Sequence, residues 1–173
     1  MQQRGFTLFE LLIVLLVLTL LFSIGIPNLS AQVQSNRTRA SALDFLQSIH
    51  QTRTLAVTQG SRATLRHRGD WNQGWDLFLD TNNNGQLDED EELIMQSETL
   101  GSVRVTANQP VKNYVSFIAT GESRFVGSAN SGAFQAGTFT VCPASSGAGY
   151  KLVLARSGRL RMSSIPEEEC DAV

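Results

Sequence analysis

Hydrophobic residues crowd the start of this chain and then settle into two different rhythms. From Leu11 to Ile26 the only polar side chains are Thr19 and Ser23. With Phe6 to Phe9 the run reaches about 20 residues, the length that crosses a bilayer as a helix. Pro27 removes a backbone donor and predicts a kink. Beyond it Leu29, Val33, Ala40, Leu43, Leu46 and Ile49 recur at near-helical spacing, joined by Ala42, Phe45 and Ala56. That pattern predicts an amphipathic helix with one apolar stripe, stopped at Gly60. The expectation is one long helix, apolar all round over 6–26 and amphipathic over 27–59. The alternative is two helices broken at Pro27.

After Gly60 the rhythm shortens. Runs rich in β-formers appear at 63–65, 75–79, 92–95, 103–105, 114–118, 138–141 and 150–154, separated by Gly, Asn and Ser clusters. They predict an antiparallel sheet of about six or seven strands, covered by the amphipathic half of the helix. The fold class is α+β, with a β-rich globular domain over 60–173 large enough to bury a core. The loop Gly127 to Gly132 is expected to be its mobile segment.

One residue breaks the apolar run. Glu10 follows Gly5-Phe6-Thr7-Leu8-Phe9 and precedes an unbroken series of leucine, isoleucine and valine. A carboxylate at the centre of a bilayer costs about 2.5–3.5 kcal/mol on insertion scales, so a chain that keeps one there pairs it with something. A secretory signal fits poorly. The basic head is only Met1 to Gly5, no A-x-A site follows the apolar run, and Glu10 sits where its core should begin.

The segment Gly5 to Glu10 with its apolar run resembles the processing site of type IV prepilins and type II secretion pseudopilins. The resemblance implies that 1–5 is a leader, cut between Gly5 and Phe6 by a prepilin peptidase, and that the new amino-terminal Phe6 is N-methylated. The helix would remain attached and form the filament core. In a packed filament the Glu10 carboxylate can meet the Phe6 ammonium of a neighbouring subunit. Two charges that are costly alone in lipid then neutralise each other and set the register. Three further stretches, Gly74 to Gly85, Gly137 to Cys142 and Ser157 to Arg161, resemble the FimT/FimU and GspH branch of minor pilins and minor pseudopilins.

Two cysteines occur, Cys142 and Cys170. If the helix anchors the chain with its carboxyl side outside the cytoplasm, both lie in an oxidising space. A bridge between them would stabilise the fold by roughly 3–4 kcal/mol on the chain-entropy model and pin the tail to a strand. Free or intermolecular thiols are the alternative. A catalytic thiol is not expected, because His50 falls on the helix and His67 in a basic strand or turn.

Asp80 to Glu91 fits the calcium-loop pattern D-x-[DN]-x-[DN]-G-x5-E. Ligands would come from Asp80, Asn82, Asn84, the Gln86 carbonyl, Asp88 and Glu91, with Gly85 at the sharp turn. The flanks read as strands rather than helices, so a solvated polar turn is the competing reading. No other cofactor is expected.

The net charge is −2, but its distribution is uneven. From Asp76 to Glu98 there are eight acids and no base. From Val103 to Arg161 there are seven bases and one acid, Glu122. Arg159 and Arg161 alternate around Leu160 and project to one side of an extended segment. With Arg156 nearby and Gly158 in a turn, they suit adjacent backbone phosphates. In FimT-like minor pilins a Gly-Arg-x-Arg motif is associated with DNA uptake, and Gly158-Arg159-Leu160-Arg161 matches it. The competing reading pairs these arginines with Glu167, Glu168 and Glu169. Trp71 and Trp75 either stack on a partner or seal the helix–sheet edge.

No nucleophile–base–acid set, phosphate loop or His/Cys metal cluster points to an enzyme. The resemblance implies a minor pilin that helps initiate a type IV pilus and sits near its tip, with DNA binding as an added role. A minor pseudopilin of a type II secretion system is the alternative. Implied partners are other minor and major pilins or pseudopilins, the prepilin peptidase, the inner-membrane assembly platform and double-stranded DNA. The implied location is the bacterial inner membrane, crossed once, with the carboxyl-terminal domain in the periplasm.

Overall fold

The computed structural model describes residues 7–127 and 132–172, and for 24–28 the backbone alone. Gly5, Phe6 and most of the 127–132 loop therefore lie outside the described residues. The chain divides into two compact units, Met1–Gln34 and Ser35–Val173.

Helix α1 runs without a break from Leu8 to Gln59, continuing through position 27. Thr7 starts it: its hydroxyl accepts the Glu10 N–H at 3.2 Å, which satisfies one of the free donors of the first turn. Gly60, at φ +62°, ends it in the left-handed conformation that suits a helix stop. In the first unit the side chains of Leu8 to Phe22 are exposed, Leu8 by 79% and Leu21 by 62%. Among the described residues, no helix is long and apolar enough to cross a membrane. The membrane reading of 6–26 therefore rests on the sequence, part of which falls on residues not described.

In the second unit α1 buries a stripe made of Thr38, Ala42, Phe45, Ile49, Thr52 and Ala56, each fully enclosed. Their spacing alternates four and three residues, the seam of a helix face. Ala42, Phe45, Ile49 and Ala56 were expected in the stripe; the rest of the expected set is corrected. Leu29, Val33 and Leu43 are 66%, 41% and 45% exposed, Ala40 is exposed and Leu46 half-buried. Two threonines sit in the seam because a helix can satisfy their hydroxyls itself: Thr52 Oγ1 donates to the Ser48 carbonyl at 2.8 Å.

Eight strands follow, and they form two sheets rather than one. They are β1 (Ala63–Arg68), β2 (Asp70–Leu79), β3 (Leu93–Gln96), β4 (Val103–Ala107), β5 (Tyr114–Phe117), β6 (Gly137–Pro143), β7 (Gly149–Leu154) and β8 (Leu160–Ile165). The first sheet has the order β3-β2-β1-β5, the second β4-β6-β7-β8, and every pairing is antiparallel. Division into two sheets lets each bury a face on one core. A short helix α2 (Glu167–Asp171), absent from the sequence reading, closes the chain. Pro166 precedes it and three glutamates occupy its first turn, a favourable arrangement for a helix start.

The core forms around Phe45. Its ring lies 5.2 Å from Trp71, 4.8 Å from Trp75 and 4.9 Å from Phe139, centroid to centroid, in tilted or edge-on geometry. The tryptophans belong to β2 and the phenylalanine to β6, so one helical side chain touches both sheets. Both tryptophans are buried, and Trp71 Nε1 donates to the Val111 carbonyl at 3.2 Å. They seal the helix against the sheets and are not available for stacking on a partner. Phe45→Ala removes the ring that the three elements share. It is expected to lower unfolding stability by about 3–5 kcal/mol in chemical denaturation.

Candidate functional site

Three segments carry the candidate chemistry. Glu10 stands in the first turn of α1 with its side chain exposed and in no ion pair among the described residues. It is therefore available to a group from another chain.

Cys142 and Cys170 form a disulfide, with Cα atoms 5.7 Å apart. The bridge ties α2 to β6, as the sequence reading expected of the tail. Two more contacts secure the helix: Arg104 Nη2 donates to the Cys170 carbonyl at 2.9 Å, and Lys151 Nζ pairs with Glu169 at 2.8 Å. Gly149 makes room for the bridge. A Cβ there would collide with Cys170 Sγ and come within 2.6 Å of the Val141 carbonyl oxygen.

The loop 80–91 is closed by its own hydrogen bonds. Asp80 is fully buried; one carboxylate oxygen accepts the Asn84 N–H at 3.0 Å. The other accepts the Thr64 hydroxyl at 2.9 Å and the Gly85 N–H at 3.0 Å. Burial pushes the Asp80 carboxyl up from its ordinary range, opposed by these bonds and by the charge of Arg62. Asp88 accepts both the Asn82 and Asn84 side-chain amides at 2.7 Å. Glu91 accepts the Thr81 N–H at 2.8 Å and the Asp88 N–H at 3.3 Å. Asn82 Oδ1 and Asn84 Oδ1 accept the N–H groups of Asn84 and Gln86.

A buried arginine, missed in the sequence, locks this loop to the sheet. Arg62 is 2% exposed and donates to Asn83 Oδ1 at 2.9 Å, to Ser116 Oγ and to the Arg124 carbonyl at 3.1 Å. Burial lowers its pKa, with Asp80 pulling the other way. Arg66 adds a bond to the Gly85 carbonyl at 2.7 Å. The only sequence signal for this role was an arginine placed just after the helix stop, at the mouth of a strand.

The calcium expectation thus meets oxygens that are already engaged. Among the described residues no group of three or more His, Cys, Asp or Glu is placed to hold a metal ion. Asp80, Asn82, Asn84, Gln86, Asp88 and Glu91 share one loop, in which the side-chain oxygens of Asp80, Asn82, Asn84, Asp88 and Glu91 accept hydrogen bonds. Millimolar calcium is expected to leave the thermal unfolding midpoint unchanged by calorimetry; a saturable rise would show that an ion replaces these bonds.

In the third segment, Gly158 and the arginines part company. Gly158 is buried at φ +75°, in a turn where its N–H donates to the Ala155 carbonyl at 2.9 Å. A Cβ on it would strike the Gly121 carbonyl and lie 3.0 Å from Arg53 Nε. Arg53 of α1 donates from Nε to the Gly121 carbonyl at 2.9 Å and from Nη2 to the Ser157 carbonyl at 3.3 Å. The glycine therefore serves close packing of the β7–β8 turn against the helix.

Arg156, Arg159 and Arg161 are exposed around buried Leu160. Among the described residues none of the three is in an ion pair. The expected pairing with Glu167, Glu168 and Glu169 is not what the structure shows. Met162 to Pro166 lie between Arg161 and Glu167, about 20 Å of extended chain, and Lys151 takes Glu169 instead.

A helix whose carboxyl-terminal part lies across two antiparallel sheets is a pilin-like arrangement, and solved structures share it. The type IV minor pilin FimU of Pseudomonas aeruginosa PAO1 superposes with a TM-score of 0.56 at 17% identity, covering 75% of this chain and 90% of that one. The minor pseudopilin EpsH from the type 2 secretion system of Vibrio cholerae gives 0.53 at 14% identity, covering 74% and 97%. At these identities the likeness shows the fold. No curated protein matches the chain. Residues 1–26 match the prokaryotic N-terminal methylation motif. Residues 41–158 match the family described as type II transport protein GspH, and the chain belongs to that family of minor pilins and pseudopilins.

Proposed function

We propose that this chain is a minor pilin of a type IV pilus that helps initiate assembly and contributes to the tip. The observation that carries the reading is the methylation motif over 1–26 preceding the family domain over 41–158, with Glu10 exposed at the head of an apolar helix. On this reading the leader is cut after Gly5, Phe6 becomes the methylated terminus, and the first part of α1 anchors the chain in the inner membrane until the filament takes it up. A periplasmic domain fits the Cys142–Cys170 bridge, since disulfides persist in oxidising compartments. The role is that of a structural subunit whose partners are other pilins, the peptidase and the assembly platform. A minor pseudopilin of a type II secretion system is the second reading. The likeness to both FimU and EpsH supports it equally.

Deleting the gene and measuring pili, twitching and exoprotein secretion in parallel separates the two. Loss of pili with normal secretion supports the first, and the reverse supports the second. In the filament itself, Glu10→Val is expected to leave the chain in the membrane but to remove it from sheared filaments. Unchanged incorporation would sink the Glu10–Phe6 contact.

DNA binding by Arg156, Arg159 and Arg161 belongs to this reading as an added role, supported by motif resemblance and by the exposure of three unpaired guanidinium groups. Binding of this kind is largely sequence-independent and falls steeply with salt. Arg159→Gln/Arg161→Gln is expected to reduce DNA retention at low salt in a filter assay; undiminished retention removes the role.

A further inference from the structure

Strands β4, β6, β7 and β8 contain three bases, Arg104, Lys151 and Arg161, and no acid. Side chains alternate along a strand, and directly paired residues share a face. Thr106 is paired with Thr140, Thr140 with Lys151, Lys151 with Ser163 and Val153 with Arg161. Arg104 is on the same side of β4 as Thr106. The register therefore brings all three bases to one face. The opposite face carries Val105, Phe139, Val141, Leu152 and Leu154, which are buried in the core. The basic face is thus the outer one. Between its bases lie the hydroxyls of Thr106, Thr138 and Ser163 and the exposed Val153.

These bases are not equally free. Arg161 is exposed and in no ion pair among the described residues, and the hairpin before it adds Arg156 and Arg159. At the other end α2 lies against the face, held by the Cys142–Cys170 bridge over Gly149. There Lys151 Nζ is tied to Glu169 at 2.8 Å, and Arg104 Nη2 to the Cys170 carbonyl at 2.9 Å. Glu167 and Glu168, exposed and in no ion pair among the described residues, add negative charge at that end. We propose that DNA lies on this outer face, entering from the β7–β8 turn, and that α2 ends the footprint by withholding Arg104 and Lys151. The inference rests on the DNA role given above. Guanidinium groups and hydroxyls bond phosphate oxygens without reading bases. None of the outward side chains named here is aromatic, so the face offers no stack for an unpaired base, and the ligand is duplex.

The test uses the full chain in detergent micelles. The probes are a short duplex of mixed sequence and its matching single strand, with affinity measured against salt. Glu169→Gln frees Lys151 for a further phosphate and is expected to steepen the slope of log affinity against log salt by about 0.9. Lys151→Gln is expected to leave the native slope unchanged and to cancel the gain in the Glu169→Gln chain. Glu168→Gln removes the same charge from an unpaired residue; it is expected to raise affinity without steepening the slope. Val153→Glu, beside Arg161 on the face, is expected to lower duplex affinity by about tenfold or more. Thr99→Glu, outside the face, is expected to leave it nearly unchanged. Equal slopes for Glu169→Gln and Glu168→Gln, native affinity in Val153→Glu, or tighter binding of the single strand overturns the proposal. A native chain that retains neither probe at low salt removes the DNA role itself. Duplex retention that is indifferent to Glu169→Gln and Val153→Glu removes this face alone.

Discussion

Phe45 is the constraint on which the globular unit depends. It projects from a helix into a pocket whose walls come from two different sheets, with Trp71 and Trp75 on one side and Phe139 on the other. Trp71 and Phe139 also touch each other, at 5.3 Å. The two sheets are thus joined through aromatic rings as well as through the loops that connect them. The alanines at 42 and 56 allow the helix backbone close enough for this ring to reach both, which is why the buried face of α1 is built from small residues around two large ones, Phe45 and Ile49.

Much of this was legible in the sequence, for identifiable reasons. The long helix declared itself through an unbroken apolar run and a later periodic stripe, and each predicted β-run lies in or beside an observed strand. The division into two sheets was not legible, because alternation along a strand says which face is buried but not which strand lies next to it. The stripe was misread where threonine fills seam positions. A threonine hydroxyl bonded back to its own helix is as buried as a valine, yet composition counts it as polar. Glu10 and the disulfide stood out because each is chemically conspicuous in its setting.

The candidate chemistry was legible as motif and not as geometry. Gly158 and the arginines beside it read as one unit, but the fold uses the glycine inward and the arginines outward. The loop 80–91 read as a ligand set; in the fold its side-chain oxygens accept hydrogen bonds from the loop itself and from the Thr64 hydroxyl. Arg62 was passed over, since a place just after the helix stop does not by itself separate a buried arginine from an exposed one. Its partners, Asn83, Ser116 and Arg124, are brought to it only when β1, β5 and the loop assemble.

Arg53 gives the fold a mechanical property. A filament subunit is pulled along its helix, and a globular unit carried on that helix must not peel away under tension. The buried stripe resists by sliding friction between packed side chains. Arg53, by contrast, is a cross-bolt: one guanidinium group spans from the helix to two separate turns, at Gly121 and Ser157. Its bonds run from the helix to both turns. The hairpin that bears the exposed arginines is thereby fastened to the helix at the turn before Arg159.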